Sequence, residues 1–142
     1  MDALFAVTDA LNRIGTFLSQ LALRLVLAWE FWLAGQHKLH GADWLATLVH
    51  HAPLPFTPAS AAGVWFLVTW VELLGAIALL VGFGTRFAAL ALIVLETVAW
   101  ITLHGVAGHS GDRSLLYLAM LVPLLFSGPG RASLDHWIVR RI

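Results

Sequence analysis

The chain has 142 residues, no cysteine, a formal net charge of zero, and 11% charged against 60% hydrophobic residues, with a mean hydropathy of +0.85. A soluble domain of this size carries about 25% charged residues, so the composition describes an integral membrane protein with length for one domain. Zero net charge argues against a nucleic-acid partner, and the lack of cysteine excludes disulfides, thiolate metal sites, Fe–S clusters and covalent haem attachment.

The first fifteen residues, MDALFAVTDALNRIG, have neither a basic start nor a small-residue cleavage site, so no signal peptide is expected. Leu4, Phe5 and Leu11 among polar neighbours predict a short interfacial helix. Four apolar stretches follow, at about 14–39, 59–83, 87–104 and 113–127. The first contains Arg24, Glu30 and His37 before it closes on Lys38. A charge at mid-bilayer costs at least ~2.5–3.5 kcal/mol on insertion scales, so a helix that keeps several is using them. Glu30 and His37 are seven residues apart, within ~20° on one helical face. Arg24 stands about 120° from Glu30, so its counter-charge must come from another helix.

Between the first two stretches lies a loop with Trp44 as an interface anchor and prolines at 53, 55 and 58. Thr85 and Arg86 form a tight basic turn between the second and third, and a glycine-rich loop with His109 precedes the fourth. The fourth is short: a core of about 14 residues rises only ~21 Å, below the ~30 Å hydrocarbon thickness. Pro123 is placed to kink it, and Gly128-Pro129-Gly130 ends it. Ser133 can then cap a terminal interfacial helix carrying Leu134, Trp137 and Ile138 against Arg140 and Arg141.

The expected architecture is therefore all-α: one antiparallel four-helix membrane bundle with short interfacial helices at its termini. Arg13, Arg86, Arg131, Arg140 and Arg141 fall on one side, with only Lys38 and Arg113 on the other. The positive-inside rule then makes both termini cytoplasmic and puts His37, His40, His50, His51, His104 and His109 at the outer end. Counting ~1.5 Å per residue from Arg13, Arg86 and Phe83 sets Arg24, Glu96 and Glu72 about 15–17 Å deep, in one plane. Arg24 is thus expected to pair with Glu72 or Glu96, and the surplus carboxyl suits proton movement. Glu30, His37, His104 and His109 lie further out. Imidazole with carboxylate suits copper, iron or zinc, and haem ligation is a related option, although no H-x-x-H or E-x-x-H spacing is present. Trp29, Trp32, Trp70 and Trp100 read first as packing residues and second as a stacking surface for a quinone ring.

The chain resembles the DoxX family of small four-helix membrane proteins. The family's R-L-x-L-G-x-x-F-x-x-x-G-x-x-K-L pattern falls on Arg24, Leu25, Leu27, Phe31, Gly35, Lys38 and Leu39, with Ala28 where glycine is usual. E-x-x-G…L-x-G-x-x-T-R falls on Glu72, Gly75, Leu80, Gly82, Thr85 and Arg86, and G-x-G-x-x-S-L-D on Gly128, Gly130, Ser133, Leu134 and Asp135. The resemblance implies a four-helix bundle in a bacterial-type cytoplasmic membrane and a role beside redox enzymes, since the family includes the small membrane subunit of a thiosulfate:quinone oxidoreductase. Glu30 and His37 depart from the family pattern.

The leading functional expectation is a membrane subunit of a quinone- or metal-linked redox system. Arg24, Glu72 and Glu96 would be its catalytic charges. Glu30, Trp29, Trp100 and Lys38 would bind the cofactor, and His37, His104, His109 and Glu30 a metal. Its partners would be the lipid bilayer and a periplasmic or membrane redox protein, and a homo-oligomer is compatible with the sequence. Two alternatives remain open: a small-ligand or proton-coupled transporter, and a non-catalytic anchor or assembly factor. The lack of an inverted repeat weighs against the transporter.

Overall fold

In a computed structural model the described residues are 2–41, 58–103, 110–128 and Ser133. They form four helices: α1 (Asp2–His40), α2 (Pro58–Val81), α3 (Thr85–Leu103) and α4 (Ser110–Ser127). Stretches of α1, α2 and α3, namely Val7–His40, Ala61–Val81 and Thr85–Thr102, are long and apolar enough to cross a membrane, while the apolar part of α4, Arg113–Ser127, is shorter. Proline at the first position of α2 suits a helix start, because its missing N–H would have no intrahelical partner. The separate interfacial helix expected at the N-terminus does not exist. Asp2 to His40 is one uninterrupted helix, because nothing between the polar leader and the apolar run breaks it. Gly15 alone is too weak a breaker. The terminal interfacial helix expected from Leu134 to Arg141 lies outside the described residues.

Polarity is inverted relative to a water-soluble protein. Phe87 is 81% and Phe126 77% exposed, whereas Arg24 is 2% and Glu72 3% exposed. Apolar faces outward and charges inward are what a lipid solvent demands. Helices α1 and α2 pack closely, as do α3 and α4, and the two pairs meet through α2–α3 and α1–α4. Small residues permit this. A Cβ on Gly35 would come within 2.7 Å of the Leu73 side chain, and one on Gly75 within 3.1 Å of Leu92. Each leucine thus fills a hollow left by a missing side chain, which is how helices associate where the solvent is itself apolar.

Three contacts fix the register of α1 on α2. Arg24 meets Leu79 and Leu80, Gly35 meets Leu73, and Lys38 meets Glu72. Numbers fall on α2 as they rise on α1, so the two run in opposite directions. Arg24 therefore sits level with the last turn of α2, and the first 22 or so residues of the chain extend beyond it. At ~1.5 Å per residue, the 39 residues of α1 reach ~58 Å, nearly twice a bilayer core. Arg13 is thus no marker of the membrane boundary, and the depth assigned to Arg24 from it was too great.

The core divides into three layers along the bundle. At the end where α1 closes on His40 lie Lys38, Glu72, Glu96 and Ser114, and the bonded Glu30–Tyr117 pair reaches from there toward the middle. In the middle Leu27, Phe31, Leu79, Leu92, Leu121 and Leu124 are almost wholly inaccessible and form one cluster with Ala28, Ala76 and Ala89. At the opposite end lie Arg24, Gly82, Thr85 and Ser133, all buried.

That last end is built around a helix terminus. The final carbonyls of an α-helix lack intrahelical donors. The Ala78 carbonyl accepts from the Gly82 and Phe83 amides at 2.8 and 3.1 Å. Arg24 Nε donates to the Leu79 carbonyl at 3.0 Å and Nη2 to the Leu80 carbonyl at 3.2 Å. A guanidinium beside the negative end of the helix dipole is favourable as well. Gly82 has φ +75°, and a Cβ there would overlap Arg24 Nη2 and press on Ser133. Gly82→Ala is therefore expected to destabilise the protein by about 1–3 kcal/mol or more. Gly63→Ala, where a Cβ meets nothing, should be neutral or slightly stabilising. Denaturant unfolding in detergent checks both, and equal effects at the two positions would refute the packing described.

Candidate functional site

The polar layer at the His40 end is assembled from all four helices. Lys38 Nζ donates to both oxygens of Glu72, at 2.7 and 2.8 Å. The Lys38 side chain is 20% exposed and that of Glu72 only 4%, so the pair runs from the bundle's edge into its interior. Glu96, 6% exposed, shares the field of Lys38 and is within hydrogen-bonding reach of the buried Ser114 hydroxyl. Glu72 and Glu96 are close enough for their charges to act on each other. On the α1–α4 side, the Tyr117 hydroxyl donates to Glu30 Oε2 at 2.9 Å, and its ring lies against Phe31 with centroids 5.4 Å apart. Glu96 and Arg113 also act electrostatically on Tyr117.

The helical spacing explains how so many polar groups converge. Glu72 falls on the buried face of α2 with Thr69, Ala76 and Leu79, and Glu96 on that of α3 with Ala89 and Leu92. Both carboxyls are thus the polar members of stripes that otherwise form the core. Each is followed by core residues on the side toward Gly82. Thr69 keeps its own hydroxyl satisfied within α2 by donating to the Trp65 carbonyl at 2.8 Å.

The expected mid-membrane trio is therefore not the arrangement found. Glu72 pairs with Lys38, and the hydrogen bonds described for Arg24 go to α2 carbonyls some seven residues, or ~11 Å, further along. Glu72 and Glu96 do share a level, as the depth count placed them. Of the expected cofactor-binding set, Lys38 and Glu30 join the polar layer. Trp29 is 63% exposed on the face of α1 opposite Lys38, nine residues and hence ~180° away. Trp100 is half-buried, one turn beyond Glu96 toward the His40 end. Of the expected metal ligands, His37 is exposed and Glu30 is bonded to Tyr117. The two share a helical face but stand two turns, ~10.5 Å, apart, which is too far for one ion. Among the described residues no three His, Cys, Asp or Glu side chains gather as a metal site. His104 and His109 lie outside them, as do His50 and His51.

Two members of the layer were missed in the sequence. Tyr117 is the only tyrosine of the chain and sits in an otherwise apolar span, which was the available signal. Ser114, at the head of that span, gave none.

These features define a small polytopic membrane protein with charges turned inward and lipid-compatible side chains turned out. The chain belongs to the DoxX family, whose sequence profile matches residues 19–105. It is also similar to two proteins of Haemophilus influenzae, each named "Uncharacterized protein". One is 36% identical over 130 residues, covering 88% of this chain and 86% of that protein. The other is 30% identical over 126 residues, covering 80% and 86%. No solved structure matches the chain significantly.

Removing either member of a buried ion pair strands the other, at about 3–5 kcal/mol, while removing both is milder. Lys38→Met and Glu72→Gln should each lower stability by about that amount. Their double-mutant cycle should give a coupling of about 1–3 kcal/mol. Arg24→Met combined with Glu72→Gln should be additive within about 0.5 kcal/mol. Unfolding in mixed micelles measures all of these, and coupling of Glu72 to Arg24 in place of Lys38 would restore the mid-membrane pair.

Proposed function

We propose that the protein is a proton-handling membrane subunit of a quinone-linked redox system, with the Lys38–Glu72–Glu96 cluster as its working site. The observation that carries this is the charge count of the polar layer. Among the described residues three carboxyls, Glu30, Glu72 and Glu96, stand with one interior ammonium, and Arg113 is exposed at the margin. An uncompensated buried carboxylate is costly, so the layer is a place where protons or a cationic ligand are taken up and released. Hydroxyls of Ser114 and Tyr117 adjoin Glu96 and Glu30 and can pass a proton between donor and acceptor by rotation.

The residues fit a quinone headgroup. Lys38 has three N–H donors, two of them used on Glu72, and the third is free in direction for a carbonyl arriving at the partly exposed end. Trp100, on the outward side of Glu96, offers an aromatic surface. A bound quinone would supply two-electron, two-proton redox chemistry. The chain's own residues would orient the carbonyl through Lys38 and hold the protons at Glu72 and Glu96. Electrons for that chemistry come from a periplasmic or membrane redox partner, which makes such a protein part of the proposal. Metal or haem ligation by His37, His104, His109 and Glu30 has weaker support, because Glu30 is committed to Tyr117 and stands two turns from His37.

The bundle lies in a bacterial-type cytoplasmic membrane as four spans, with the Gly82 end and both termini on the cytoplasmic side. The polar layer then faces the outer leaflet. Single cysteines at the exposed positions Asn12 and His40 test this against a cysteine-free background. An impermeant thiol reagent applied to spheroplasts should label position 40 and not 12; the reverse would invert the assignment.

The functional test is direct. Protein purified from membranes should carry close to one extractable quinone per chain. Lys38→Met should reduce that about tenfold or more, equivalent to ~1.4 kcal/mol or more of binding. Glu96→Gln should keep the quinone but lose quinone-linked proton uptake. Absence of quinone from the wild type, together with a stoichiometric metal, would turn the reading to metal chemistry. Absence of both would leave the anchor role.

A further inference from the structure

We infer that the polar layer is a blind compartment: protons and small cations enter and leave it only at the His40 end, past Lys38, and a dry septum closes it toward Arg24. This deepens the proposed function by assigning the site one side of the membrane, but it needs no quinone to hold.

The septum is contributed by every helix in turn. On α2 the residues below Glu72 on the same face are Ala76 and Leu79, on α3 those below Glu96 are Leu92 and Ala89, and on α4 those below Tyr117 are Leu121 and Leu124. On α1, Leu27 and Ala28 lie between Glu30 and Arg24, and Phe31 is level with Glu30. All are buried and in mutual contact. From Glu72 to Leu79 is seven residues, or ~10 Å along the axis; among the described residues the Glu30–Tyr117 pair, bonded to each other, reaches into this stretch from the α1–α4 side, and below it the buried side chains are Leu27, Leu79, Ala89 and Leu124. Proton transfer needs a chain of hydrogen-bonding groups, and a bare charge in so dry a layer meets a large desolvation cost. At the opposite end Arg24 is engaged with the α2 carbonyls.

Lys38 has a fifth of its side chain exposed while its ammonium grips Glu72 inside. Among the described residues the titratable groups of the compartment are Lys38 and Glu30 from α1, Glu72 from α2, Glu96 from α3, and Tyr117 with the exposed Arg113 from α4. Their carboxyl excess makes the mouth attractive to cations. Such a compartment exchanges protons with one aqueous phase and cannot by itself conduct them across the membrane.

Two measurements decide it. Ser114→Cys and, separately, Leu92→Cys are made in the cysteine-free chain and treated with the permanently cationic, membrane-impermeant thiol reagent methanethiosulfonate ethyltrimethylammonium. The reagent is applied to spheroplasts and to inverted vesicles, which present opposite faces. Position 114 should react at least about tenfold faster from the face that also labels His40→Cys, and position 92 from neither face. Equal reaction of 114 from both faces, no reaction from the His40 face, or any reaction at 92 would overturn the inference. Independently of any variant, wild-type protein in liposomes with a potassium gradient and valinomycin should admit protons no faster than protein-free liposomes. A leak several-fold above that background would overturn it. Neither readout involves quinone, so either can fail while quinone binding stands, and the reverse.

Discussion

An ammonium and a carboxylate that must share the inside of a lipid-bathed bundle constrain nearly everything else in this protein. Lys38 can reach Glu72 with both carboxylate oxygens satisfied only if α1 and α2 are staggered so that residue 38 stands beside residue 72. That stagger brings Gly35 under Leu73 and carries Arg24 down to the last turn of α2, where it completes the hydrogen bonding of that helix end. One register therefore satisfies two buried cations, closes a helix terminus and seats a leucine in a glycine hollow. In hydrocarbon there is no water to accept a misplaced partner, so a slip by one turn would leave a charge stranded at each end.

The layering that results separates two kinds of polar chemistry. At the Gly82 end the polar groups are structural. A guanidinium caps carbonyls, a positive-φ glycine makes room for it, and Ser133 packs against the same glycine. At the His40 end the groups are titratable and, among the described residues, the buried carboxyls outnumber the ammonium, whose side chain is a fifth exposed. The leucine layer between them keeps one from short-circuiting the other. This division accounts for why the family pattern spans both ends: Arg24 and Gly82 belong to the first, and Lys38 and Glu72 to the second. Glu30, which departs from that pattern, enters the same layer through Tyr117.

Much of the fold was legible from the sequence because apolar run length and turn glycines are local signals. The second and third spans are bounded by Pro58, by Gly82 and Gly84, and by the polar loops, all visible in one dimension. The fourth span was legible as short. What was not legible was register, since it depends on which residues of different helices face one another. Depth was counted from Arg13 as though it stood at the membrane edge, but α1 overshoots the bundle, so Arg24 was placed beside Glu72 when it lies about two turns away. For the site, the inward faces of Glu72 and Glu96 followed from their small-residue neighbours. The partners did not. Lys38 lies 14 residues beyond Arg24 on α1, so a depth count that sets Arg24 level with Glu72 takes Lys38 far from its true partner. Tyr117 and Glu30 are 87 residues apart, and nothing local couples them. The face shared by Glu30 and His37 was real helical geometry, but a shared face two turns long is not a shared site.

The most direct test of the account is the α1–α2 register itself, read by disulfide formation in the cysteine-free chain. A Cβ on Gly35 would meet the Leu73 Cγ at 2.7 Å and lie 3.4 Å from the Leu73 amide nitrogen, so cysteines at 35 and 73 face each other across the α1–α2 contact. Oxidised Gly35→Cys/Leu73→Cys protein should show a 35–73 disulfide by peptide mass mapping, and Arg24→Cys/Glu72→Cys protein should show none. A 24–72 disulfide with no 35–73 disulfide would put Arg24 back beside Glu72 and dissolve the three-layer core.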